Sequence, residues 1–87
     1  MAIHTVVSVF DRAAQAFGRP FTVLSKGMAI RSFDDEVNRE GSDMSKHPAD
    51  YELYELGFFD DQAGKFVFLT SGGPELIVRA EDVIRRS

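Results

Sequence analysis

The stretch Tyr51-Glu52-Leu53-Tyr54-Glu55-Leu56-Gly57-Phe58-Phe59, then Asp60-Asp61-Gln62-Ala63-Gly64, then Lys65-Phe66-Val67-Phe68-Leu69-Thr70, decides the architecture. Two aromatic and aliphatic runs around a short polar segment ending in glycine predict two strands joined by a five-residue hairpin loop, with Gly64 supplying a positive φ. The apolar spacing over 51–59 is not a clean alternation, so a bulge near Gly57 or a less regular strand is expected. Strand parity places Tyr54 with Phe58 on one face, and Phe66 with Phe68 on one face of the next strand.

Upstream of this hairpin, Ser25 is a candidate N-cap, and Ala29, Ile30, Phe33 and Val37 recur at helical spacing while Arg31, Asp34, Asp35 and Asn38 fill the other side. Gly41 is a natural stop, and 42–50 reads as a polar loop because Pro48 opposes helix continuation. Further out, Ile3-His4-Thr5-Val6-Val7-Ser8-Val9-Phe10 is β-branched and puts Ile3, Thr5, Val7 and Val9 on one face of a first strand. Gly18 and Pro20 close a wide connection over 11–18, after which Phe21-Thr22-Val23-Leu24 forms a second strand. Beyond Ser71-Gly72-Gly73-Pro74, Leu76-Ile77-Val78 is a short strand, and 80–86 allows one helical turn through Val83 and Ile84.

The order β-β-α-β-β, with a short terminal strand and turn, predicts an α+β fold: a small, mainly antiparallel sheet with one helix packed on one face. The other face is left for solvent, a partner or a ligand. No linker or repeat divides residues 1–87, so one domain is expected. An apolar content of 44% with eight Phe and two Tyr suits a folded core. The absence of cysteine excludes disulfides and thiolate metal sites and points to a reducing cytoplasm. The N-terminal 20 residues fit neither a signal peptide nor a spanning helix, so no membrane association is expected. A formal charge of −4 argues against nucleic-acid binding driven by bulk charge, leaving only a local basic surface. The small core makes a homodimer the expected state.

Catalytic and metal chemistry find little to work with. His4 and His47 are the only histidines, and neither a nucleophile motif nor a phosphate loop occurs, since Gly72-Gly73 leads into Pro74. Asp60-Asp61 with Gly64 lacks the downstream ligands of a calcium loop, and the adjacent carboxylates of Asp34-Asp35-Glu36 diverge on a helix. The expectation is a non-enzymatic protein without metal or cofactor.

A set of short elements in fixed order resembles the small nonstructural protein of gokushoviruses, single-stranded DNA phages of the microvirus group. They are Val9-Phe10-Asp11, Pro20-Phe21, Ser25-Lys26-Gly27, Ala29-Ile30-Arg31, Phe33 and Val37-Asn38. They continue with Lys46-His47-Pro48, Asp50-Tyr51, Leu53, Glu55-Leu56-Gly57, Phe59-Asp60-Asp61 and Gly64. The likeness runs over about 9–68, and the segment beyond Phe68 carries no matching motif. It implies an accessory protein of the infected bacterial cytoplasm, acting in the switch from genome replication to packaging through viral DNA or the replication complex.

Contact with single-stranded DNA requires cations along phosphates and exposed rings on which bases stack. The candidates are Lys26, Arg31, Lys46, His47, Tyr54 and Lys65. Lys46 and His47 lie in the expected loop, although Pro48 alone accounts for a turn there. Phenylalanines at alternate strand positions belong more often to a core than to a stacking platform, so the Phe residues are assigned to the core. The alternative function is an adaptor that contacts a viral or host replication or capsid protein without touching DNA; the acidic net charge supports it.

Overall fold

In the computed structural model, which describes residues 2–85, two long antiparallel strands form the spine of one sheet. These are β1 (Ile3–Asp11) and β4 (Tyr51–Asp60). Each carries two shorter strands along its outer edge. β2 (Ala16–Phe17) and β3 (Phe21–Val23) pair with β1, while β5 (Lys65–Phe68) and β6 (Glu75–Arg79) pair with β4, every pairing being antiparallel. Three helices, α1 (Lys26–Val37), α2 (Asp43–Lys46) and α3 (Ala80–Val83), complete the α+β fold. None is long and apolar enough to cross a membrane.

The helix-side core follows from the alternation of β1. Val7 and Val9 face α1, joined by Leu53 of β4, and Ala29, Phe33 and Val37 descend onto them with Ala80 at the far end. The Ser25 hydroxyl caps α1 by accepting from Met28 N at 3.3 Å. At the other end Asn38 ties the C-terminal segment to the helix. Its Nδ2 donates to Val83 O at 3.1 Å, and its Oδ1 accepts from Arg85 N at 2.7 Å.

The expected bulge is present and its effect is larger than parity suggested. Val6 pairs with Gly57 but Val7 with Glu55, so Leu56 is an extra residue in β4. Everything beyond it swaps faces. Tyr54, paired with Ser8, lies on the side away from α1, whereas Phe58, paired with Thr5, lies on the helix side, so the two rings do not share a face.

Other expectations are corrected as well. The wide connection over 11–18 is a tight hairpin into β2, held by Asp11 Oδ1 accepting from Ala13 N at 3.0 Å, with Gln15 at a φ of +57°. The polar loop over 42–50 contains α2 and a 3-10 turn, Pro48–Asp50. Ser42 caps α2 by accepting from Ser45 N at 3.0 Å, and a four-residue helix is too short to show periodicity. β5 ends at Phe68, two residues early. Of the terminal turn expected over 80–86, the first four residues form α3, and Arg86 lies outside the described residues.

The largest correction concerns phenylalanine. Phe33 is the only Phe that is buried; Phe10, Phe58 and Phe59 are half-buried, and Phe17, Phe21, Phe66 and Phe68 are exposed. Lengths explain this. At 1.5 Å per residue α1 spans about 18 Å, whereas at 3.3 Å per residue β4 spans about 33 Å, so one helix covers roughly half of one face. The molecule is accordingly elongated, 45 × 24 × 18 Å.

Candidate nucleic-acid interface

The face of the sheet away from α1 carries two aromatic groups. At one end the β1–β2 hairpin sets Phe17 opposite Phe10, and their ring centroids are 4.8 Å apart. Tyr54 joins edge-on, 5.4 Å from Phe17 and 6.3 Å from Phe10. The Tyr54 hydroxyl donates to Glu52 Oε1 at 3.3 Å, and Glu52 Oε2 meets Arg79 Nε at 3.3 Å. Partial burial, followed by the Glu52 charge, raises the Tyr54 pKa, so the phenol stays protonated well past neutrality.

At the other end Phe59 lies 6.3 Å from His4 and 5.1 Å from Phe66, with Phe68 two positions further along β5 on the same face. His4 is fixed by Asp61, Nε2 to Oδ2 at 2.9 Å, and Ala2 N donates to Asp61 Oδ1 at 3.0 Å. The hydrogen bond from His4, then that from Ala2, holds the Asp61 carboxyl below its usual range. Four steps along β1, from His4 to Ser8, separate the strand pairs that carry the two groups, about 13 Å at 3.3 Å per residue. The face is therefore a strip of rings, uncovered by any helix among the described residues, with exposed Arg12 and Arg19 before and after Phe17 in the chain.

Of the six residues expected to bind nucleic acid, Tyr54 alone lies on this strip. Arg31 is exposed on α1, and Lys46 and His47 are exposed at the end of α2. Lys65 is exposed at the start of β5, where parity sets its side chain opposite in direction to that of Phe66. From the turn after His47 to Lys65, the chain passes along the whole of β4, so these cations sit about 30 Å apart at 3.3 Å per residue. They form no common site.

Lys26 has a structural partner. Its Nζ reaches Glu55 Oε1 at 3.3 Å, and the Glu55 side chain is only 4% exposed, with Oε2 buried and unpartnered. Removing the lysine strands a buried carboxylate, a change that costs about 3–5 kcal/mol when both partners are buried. Because Lys26 stands half in solvent, Lys26→Ala is expected to lose about 1–2 kcal/mol. Urea unfolding checks it, and Glu55→Gln on the same background should restore most of the loss.

The paired acidic residues serve turns and caps. Asp60 Oδ1 accepts from Gln62 N at 3.0 Å and Ala63 N at 3.2 Å, closing the hairpin loop in which Gly64 has a φ of +68°. Asp34 Oδ1 accepts from Arg85 Nη1 at 2.8 Å. Among the described residues no three His, Asp or Glu side chains converge.

Sequence reasoning missed His4, Phe10, Phe17, Phe59, Arg12 and Arg19 as one surface. The available signal was the second parity of β1, His4-Val6-Ser8-Phe10, together with a ring flanked by arginines in the following hairpin.

Comparison with protein families matches residues 4–83 to the Phage ORF5 protein family. The chain belongs to that family. The match takes in both aromatic groups and reaches from the second residue of β1 to the end of α3, so the whole fold described above is a bacteriophage protein of this type. No curated protein and no solved structure matches the chain.

Proposed function

We propose that this phage protein is a gokushovirus nonstructural protein that binds single-stranded DNA on the open face of its sheet and helps direct new genomes toward packaging in the host cytoplasm. It works by binding and not by catalysis. The observation that carries this reading is the uncovered strip of rings: Phe10, Phe17 and Tyr54 at one end, His4, Phe59 and Phe66 at the other. Unpaired bases stack on such rings at about 1–3 kcal/mol per base, with little sequence preference. Arg12 and Arg19, before and after Phe17 in the chain and both exposed, supply the phosphate contacts.

Two such contacts predict a shallow salt dependence, a slope of roughly −1.4 in log K against log salt for a single strand. Fluorescence anisotropy of a labelled single-stranded oligonucleotide, with a duplex control, tests it: single strands should be preferred and salt should weaken them with about that slope. Absence of binding at low salt contradicts the reading. The rival is the adaptor that contacts a replication or capsid protein. It draws on the charge of −4 and on the engagement of Lys26, Arg39, Arg79 and Arg85 with carboxylates.

A further inference from the structure

β5 is an edge strand with no cover. It pairs with β4 over Gly57–Phe68 to Asp60–Lys65 without a register shift, and no other described strand meets its outer side. Phe66, Val67 and Phe68 are 69%, 51% and 84% exposed, so both of its faces and its edge are apolar and open. Phe66 and Phe68 also wall an apolar cavity of about 230 Å³ with Val6, Pro20 and Leu56, which extends the uncovered surface into the sheet. Edges of this kind are normally blunted by charge, bulges or covering segments, and here only Lys65 at one end does so. The other edges differ: β2 has two residues and β3 three, and the pairing of β6 with β4 shifts register between Leu53 and Tyr54.

We propose that β5 pairs antiparallel with β5 of a second copy of this chain, giving a two-fold dimer with one continuous sheet. Two features favour a second copy as the occupant. The strand carries a single charge, Lys65, at its end, so antiparallel self-pairing near Val67 sets each lysine against an apolar residue and not against its counterpart. A two-fold axis is satisfied by the same short strand on both partners. With the axis perpendicular to the sheet, both open faces lie on one side, and the strips of rings join into one track. This last consequence rests on the nucleic-acid reading; the pairing itself does not.

Sedimentation velocity on the full chain without nucleic acid tests the pairing. The chain should sediment at twice its 9.7 kDa mass. Val67→Asp and Val67→Lys, each with circular dichroism to confirm folding, should each weaken the dimer by roughly tenfold or more, and a mixture of the two should restore it. A wild-type chain that stays monomeric at sub-millimolar concentration overturns the proposal, as does a dimer undisturbed in both variants. Either result leaves the strand-binding reading standing, because monomer binding is scored separately by anisotropy. A monomer that instead captures a different protein along β5 also overturns it.

Discussion

Phe33→Ala is expected to cost about 3–5 kcal/mol of folding stability. Phe33 is the one buried aromatic ring, and it stands at the centre of the layer that α1 shares with Val7 and Leu53. Collapse of the surroundings could recover part of such a loss, but α1 is held at both ends. The Ser25 cap fixes its start, and the Asn38 contacts with Val83 and Arg85 fix its finish, so the helix cannot settle into the void. A chain of this length is stable by about 4–13 kcal/mol, and the substitution removes roughly a quarter or more of that. Urea denaturation should show a lower midpoint with an unchanged slope.

Gly57→Ala is expected to act through β5, at a cost of about 3 kcal/mol, the upper end for overpacking. A Cβ on Gly57 would lie 2.5 Å from the backbone oxygen of Val67. A flexible side chain could rotate away; a carbonyl in a paired strand cannot move without taking the strand with it. β5 should therefore lift from β4, and amide hydrogen exchange over 65–68 should accelerate while exchange in the β1–β4 centre changes little. Dimerisation should fall with it, since the same strand forms the proposed contact.

The contrast between those two sites shows what was legible in the sequence. The α1 pattern of Ala29, Phe33 and Val37 reported its own burial because helical spacing and core contact coincide there. The strands over 3–10 and 51–59 were legible from their β-branched and aromatic content. The faces were not. One extra residue, Leu56, reverses the direction of every side chain after it; the broken alternation announced a bulge near Gly57 but not which residue is extra, because that is set by pairing with β1. The exposure of Phe17, Phe66 and Phe68 was also hidden, because it depends on how much sheet one short helix can cover. The hairpin into β2 lacks the glycine that usually marks such turns; Gln15 takes the positive φ instead. Among the candidate cations, residue type gave no indication that Lys26 answers a buried Glu55 while Arg12 and Arg19 flank an exposed ring.

The central claim, that a single strand lies on the face away from α1, has a built-in reporter. The chain contains no Trp and two Tyr. Tyr51 packs against the helix-side core, and Tyr54 lies on the open face beside Phe10 and Phe17. Titrating oligothymidylate into Tyr51→Phe, where Tyr54 is the remaining fluorophore, should quench tyrosine emission as the strand saturates the protein. The same titration of Tyr54→Phe should leave Tyr51 emission nearly unchanged. Equal quenching in both variants, or quenching confined to Tyr51, would place the strand elsewhere and contradict the account.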